Sequence, residues 1–180
     1  MNTIITVLSV VIAVGIILIF LVSIYNHFQD YIIRINEANV NIETVLRKRF
    51  DLLNKASSII KNNAKDEQNV ISMIAKLRSK NLTNFELDRN LYDAINEFHM
   101  VKERHEELQS NEKLLKTEIN LIESESEIVG LRKYYNDIVT DYNKLVKSFP
   151  SCILAFILRY KTKEYFDGSS LDKQIRTVRL

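Results

Sequence analysis

The sequence predicts an all-α protein in which a single N-terminal transmembrane helix leads into an antiparallel bundle of long helices. Three observations predict it. Residues 4–24 are almost wholly Ile, Val and Leu, and no Asp, Glu, Lys or Arg precedes Asp30. Only 3 Gly and 1 Pro punctuate 180 residues, too few to turn the strands of a sheet. Beyond the apolar run, hydrophobic residues recur at alternating spacings of three and four, the pattern of a helix with one packed stripe or of a coiled coil. With 46% hydrophobic and 27% charged residues, the chain has the composition of a folded protein rather than a disordered one.

At 1.5 Å per residue, a run of about 21 residues reaches roughly 31 Å, the hydrocarbon thickness of a bilayer. Met1-Asn2-Thr3 offers no basic leader and Val22-Ser23-Ile24 no small-residue cleavage site, so the run reads as a retained anchor rather than a cleaved signal. The organisation that follows is an anchor over 1–24, a helical bundle over 25–149, and a short apolar segment with a basic tail over 150–180. Arg34, then Arg47, Lys48 and Arg49, follow the run, while nothing basic precedes it. That imbalance predicts a single-pass protein of the cell membrane with a short N-terminus outside and the bundle in the cytoplasm. The lone Cys152 agrees with a reducing compartment.

In the first bundle helix the seam runs Phe28, Ile32, Ile35, Asn39, Ile42, Leu46, Arg49, Leu53, Ala56 and Ile60, straight out of the apolar run. A polar break follows at residues 61–66, with Asp66 placed to cap a second segment carrying Val70, Ile71, Ile74 and Leu77 and ending near residues 79–81. Thr83-Asn84-Phe85-Glu86 has the form of a capping box and opens a third segment striped by Leu87, Leu91, Ala94, Ile95, Phe98 and Val101. Ser110 is expected to cap the last long helix. Its stripe is Leu114, Glu118, Leu121, Glu125, Ile128, Arg132, Tyr135, Val139, Tyr142, Val146 and Phe149, and Pro150 stops it. If the second and third segments stack as one broken helix, three rods of similar length result.

The last helix carries a pattern of its own: Arg132, the pairs Tyr135-Asn136 and Tyr142-Asn143 seven residues apart, then Ser148-Phe149-Pro150. This resembles the signature of the LemA family. Tyr25-Asn26, residues 37–42, the run from Arg47 to Leu53, Ala64-Lys65, Glu125 and Tyr165-Phe166 fall in register with the same family. Where its members usually carry a proline, this chain has Asn54-Lys55, so the kink that proline would give is not expected. The resemblance implies an all-α, membrane-anchored bundle with its N-terminus outside. It implies no particular reaction; some relatives occur in magnetosome membranes, and some are encoded beside a membrane metalloprotease.

Candidate chemistry is sparse. His27, His99 and His105 lack the i, i+4 spacing that puts two imidazoles on one helical face for a metal. Cys152 sits in a small apolar setting with no neighbouring His, and no glycine loop is present to cradle a phosphate. No metal, cofactor or catalytic residue is therefore expected, and the chain reads as a non-enzyme. More informative are charges on the seams: Arg49 on the first helix, and Glu118, Glu125 and Arg132 on the last. Burying one unpaired costs several kcal/mol, so Arg49, Glu125 and Arg132 are expected to pair across helices and fix their register. Tyr135 and Tyr142 read as core aromatics with a hydroxyl partner.

The expected function is a membrane-anchored helical scaffold or interaction module, its partners being the lipid bilayer and either a second copy or another membrane protein. The alternative is a regulator or adaptor of a membrane protease or other membrane complex. Residues 153–158 are apolar but too few to span, and the tail from Arg159 carries a net basic excess compatible with weak attraction to anionic lipid. Nucleic acid is not an expected partner, because the formal net charge is only +2 and no basic stripe is interleaved with aromatics.

Overall fold

The computed structural model describes residues 2–63, 71, 72, 74, 75, 77 and 82–167. Asp66, Val70, residues 79–81 and the tail beyond Asp167 lie outside the described residues, and with them the expected second cap and most of the basic tail. Among the described residues there is no strand. The elements are α1 (Asn2–Asn63), α2 (Asn84–Arg104), α3 (Glu106–Gln109), α4 (Glu112–Lys147) and α5 (Ser151–Ile157), with Ile71, Ser72, Ile74, Ala75 and Leu77 also helical. The chain forms two compact units, Met1–Glu37 with Tyr135–Leu180, and Ala38–Tyr134; α1 and α4 contribute residues to each.

α1 is one helix of 62 residues that passes through Asn54 and Lys55 without interruption. Its first part is apolar on every side and covered on none: Ile4 is 75% exposed, Ile19 73% and Val22 57%. A water-soluble helix hides such side chains against a core, so this part has the length and composition to cross a membrane. Burial begins at Ile24 and Phe28 and continues at Ile35.

In the unit Ala38–Tyr134 the core side of α1 is Ala38, Ile42, Val45, Leu46, Arg49, Leu53, Ala56 and Ile60. This follows the predicted seam except at one step. Ala38 is buried and Asn39 is exposed, where its amide oxygen accepts a 2.9 Å hydrogen bond from Asn84 Nδ2. The capping box at Thr83 is complete: the Glu86 carboxylate accepts the Thr83 N–H at 2.9 Å and the Thr83 hydroxyl accepts the Glu86 N–H. In the same unit Leu91, Ala94, Ile95, Phe98 and Val101 of α2 and Leu114, Leu121 and Ile128 of α4 are buried.

The helices do not follow a three-rod arrangement. Asn84 lies at Asn39 and Asp88 at Arg49, so α2 runs parallel to α1. α4 runs back along α2, with Arg132 at Asp88 and Glu118 at Lys102, and is therefore antiparallel to α1. One broken rod would have made α2 antiparallel to α1 and α4 parallel to it. Periodicity fixes which face of a helix is buried, not which way the helix points.

The cap of α4 is also one residue later than expected. The Asn111 side-chain oxygen accepts the N–H groups of Lys113 (3.1 Å) and Leu114 (3.3 Å), while the Ser110 hydroxyl turns back to the Glu106 carbonyl. Asn111→Ala is expected to cost about 1 kcal/mol of stability and Ser110→Ala less than about 0.5 kcal/mol, read by thermal unfolding of the full chain in detergent. Equal losses would return the cap to Ser110.

Candidate functional site

Two clusters collect the residues singled out in the sequence, one in each unit. In the unit Ala38–Tyr134, four charges from three helices meet. Arg49 of α1 is 1% exposed. Its Nη1 donates to Asp88 Oδ1 of α2 at 3.2 Å, and its Nη2 donates to Glu125 Oε2 of α4 at 2.5 Å. Arg132, two turns beyond Glu125 on α4, donates to the Asp88 carboxylate at 2.6 Å and stands 4.0 Å from Glu125. Two guanidiniums and two carboxylates balance, and Asp88 joins the pairs by accepting from both arginines. Burial is graded: the Asp88 side chain is 9% exposed, Arg132 29% and Glu125 39%.

Asp88 is the member that sequence reading missed. It lies three residues before Leu91 and seven before Ile95, as much on the α2 stripe as Leu87, which the structure leaves half-buried. A polar residue at stripe spacing opposite a seam arginine was the available signal. The fourth seam charge, Glu118, lies outside this cluster; it pairs with Lys102 and lies 3.1 Å from His99 Nδ1.

Beside the cluster a groove of about 290 Å³ opens between α2 and α4. It is lined by Arg49 of α1, by Tyr92, Ile95, Asn96 and His99 of α2, and by Leu121, Ile122, Glu125 and Ser126 of α4. Along α4 the exposed apolar residues Leu115, Ile119, Ile122 and Val129 repeat at spacings of four, three and seven, and Tyr92 and Met100 are exposed on α2. The outer face of the helix pair thus carries a second apolar stripe. Among the described residues no group of His, Cys, Asp and Glu is arranged to hold a metal ion.

In the other unit the two Tyr-Asn pairs of α4 hold the chain that returns after α5. Asn143 is fully buried and bonds both ways with one residue: its Nδ2 donates to the Lys163 carbonyl and its Oδ1 accepts the Lys163 N–H, each at 2.8 Å. Asn136 Oδ1 accepts the Phe166 N–H at 2.9 Å. Seven residues of helix rise about 10.5 Å, and the three residues from Lys163 to Phe166 reach about 10 Å only when extended, so the spacing of the two asparagines demands an extended strap. The tyrosines pack beside the clips. Tyr142 meets Phe28 edge to face at 6.0 Å, with the Lys163 ammonium 5.9 Å from its ring, and Tyr135 meets Phe166 at 6.3 Å. The Thr140 hydroxyl bonds the Tyr165 phenol at 3.2 Å.

Burial, and then the negative charge of Glu164, pushes the Tyr135 phenol above its ordinary value of 10.0; burial, and then Tyr160, does the same to Tyr142. Phe149 and Pro150 behave differently from the helical motif residues. α4 ends at Lys147, so Phe149 lies past the helix and is 81% exposed, although spacing put it on the seam.

These features define an all-helical protein whose bundle is keyed by buried ion pairs and whose last helix clips down its own C-terminal strap. The pattern of the LemA family matches residues 38–179, most of the chain, and the protein belongs to that family. Comparison with curated proteins gives no match.

Three outcomes test this reading of the clusters. Arg49→Met and Asp88→Leu each leave the cluster with one charge unmatched and are expected to cost up to about 3–5 kcal/mol, while the double variant, which leaves Arg132 facing Glu125, recovers most of the loss. Glu125→Gln, at a more exposed site, is expected to cost about 1 kcal/mol or less. Urea unfolding of the full chain in detergent measures all four; additive losses in the double variant would contradict the coupling. Asn143→Ala is expected to speed hydrogen exchange at the Lys163 amide, since two strap bonds are lost together. For the tyrosines, a folded value above the unfolded one means that stability is intact below about pH 10 and is lost as pH rises further, because the unfolded chain releases the phenolic protons first. An alkaline titration that follows tyrosinate absorbance and helicity together checks that sign.

Proposed function

We propose that this protein is a membrane-anchored helical scaffold that acts by holding an interaction surface at the bilayer, without catalysis. The observation that carries this reading is α1 itself. Its uncovered apolar end, residues 4–22, and its packed bundle face, from Ile24 to Ile60, belong to one unbroken helix. Lipid is the solvent that such a sheath requires, and the same helix carries both the sheath and the packed bundle face. The charged cluster supports the absence of catalysis, because its acids and bases are spent on one another instead of being presented to a substrate. The surface offered is the apolar stripe and groove of α2 and α4, whose spacing suits a helix from a second copy or another membrane protein. Anchoring confines both partners to a plane and raises their effective concentration, so a modest interface suffices.

The orientation we propose places the bundle in the cytoplasm. Lys144, Lys147, Arg159 and Lys161 add to Arg34 on the bundle side, and nothing basic lies on the other side of the apolar run. The protein is expected to stay with membranes through an alkaline wash, and protease added outside intact cells is expected to leave the bundle whole. Release by alkali would remove the anchor, and external digestion would reverse the orientation. Cross-linking in membranes followed by affinity purification separates scaffold from adaptor. A scaffold returns mainly itself, with the yield cut several-fold by Ile119→Glu with Ile122→Glu. Recovery of a protease instead would favour the adaptor reading.

A further inference from the structure

α5 is amphipathic in an unusual sense. It buries only Ser151 and Ala155, the two small residues one turn apart, and presents its large apolar residues to the outside: Ile153 is 54% exposed, Phe156 84% and Ile157 65%, with Phe149 at 81% in the turn before it. A soluble surface does not gather so much aromatic and aliphatic area in nine residues without a partner.

The position of α5 says which partner. The strap that leaves it starts at Tyr160, whose phenol accepts a 2.8 Å hydrogen bond from Gln29 and whose ring lies 4.8 Å from Phe28. The helix that leads into it touches Phe28 through Tyr142. Both ends of the α5 excursion are therefore pinned to α1 at residues 28–29, within two turns of the last uncovered side chain of the sheath, Val22. α4 runs antiparallel to α1, so the five residues from Tyr142 to Lys147 carry the chain about 7.5 Å further toward the sheath before α5 begins. Charge agrees with this placement. Between Asp141 and Glu164 the chain has Lys144, Lys147, Arg159, Lys161 and Lys163 and no acidic residue. Arg159 even occupies a left-handed position (φ 57°) that closes α5, with the Tyr160 N–H on the Ala155 carbonyl and the Arg159 N–H on that of Phe156, a site where glycine would be unstrained.

We infer that α5 and Phe149 form a second membrane contact, an interfacial wedge that seats in the anionic headgroup layer of the bilayer crossed by α1. The inference rests on the proposed anchoring. Phe149, Ile153, Phe156 and Ile157 enter the boundary between headgroups and acyl chains, and the flanking lysines and Arg159 face lipid phosphates.

The chain contains no Trp, so single substitutions report depth directly. The full-length protein is placed in nanodiscs containing phosphatidylglycerol, as Phe156→Trp, Phe149→Trp, Phe20→Trp in the sheath, or Tyr92→Trp on the α2 surface. Each is checked for native helicity and quenched by lipids spin-labelled either near the headgroup or deep in the acyl chain. Quenching of Phe20→Trp by the deep label tests the anchor on its own. For the wedge, the shallow label is expected to quench Phe156→Trp and Phe149→Trp at least about twofold more than Tyr92→Trp, as suits a helix lying about 5–10 Å into the interface. If Phe20→Trp is quenched and both wedge variants behave like Tyr92→Trp, the wedge is overturned and the anchor stands. Blue-shifted wedge emission that no lipid label quenches means that protein covers α5, and also overturns it. An unquenched Phe20→Trp removes the anchor and the wedge with it.

Discussion

Arg49 is the constraint on which the bundle of residues 38–134 turns. A guanidinium at 1% exposure is tolerable only when its charge is met, and here two helices must deliver one carboxylate each to opposite arms of the same fork. The neighbouring seam residues Ile42, Leu46 and Leu53 set no such condition, since aliphatic side chains pack almost as well one turn away. A slip of α2 or α4 by one turn would leave most apolar contacts replaced by others but would strand Arg49 at a cost of about 3–5 kcal/mol. The apolar stripes thus supply the drive to associate, and the ionic cluster selects one register among several.

The second unit solves a different problem with the same helix. A chain that returns beside α4 without forming a strand or helix must still satisfy its backbone groups where it is covered. Asn143 does this by offering an amide edge that mimics a neighbouring strand, donating and accepting with Lys163 as a ladder partner would. The repeat at seven residues is set by two rises meeting, two turns of helix against three residues of extended chain. Tyr-Asn pairs at that interval therefore have a structural explanation that needs no ligand.

Helical class, the apolar run, the capping box and nearly all of the first seam were legible because each depends on local spacing. Ala38 and Asn39 could not be separated that way, since both suit a seam between Ile35 and Ile42, and burial went to the residue with nothing to desolvate. Asp88 was hidden by Leu87 beside it, because a periodic reading prefers the apolar member of a neighbouring pair. Phe149 failed for the opposite reason: the period continued past the point where Pro150 had already ended the helix. The direction of α2 was not legible at all, since a stripe reads the same in either sense. Of the two clusters, the residues were visible as seam charges and as a family pattern, but their partners were not. Asp88, Lys163 and Phe166 are joined to Arg49, Asn143 and Asn136 only by tertiary contact.

In the unit Met1–Glu37 with Tyr135–Leu180, the α1 sheath and the residues around α5 are two exposed apolar groups whose sizes imply different roles. The sheath of α1 contributes well over a dozen large side chains; at about 25 cal/mol per Å² its transfer into lipid is far beyond what thermal motion reverses. Against that, four residues around α5, each worth about 1.5–3 kcal/mol at full burial and less when half immersed, add nothing to whether the chain stays bound. They matter to how it is held. A single helix fixes depth but leaves rotation about its own axis free, whereas a second point pinned beside Phe28 and drawn to the interface would remove that freedom. The unit containing α5 would then face the bilayer in one orientation only. Under the proposed scaffold reading, in which strength would come from confinement, a defined orientation would matter more than additional anchoring energy.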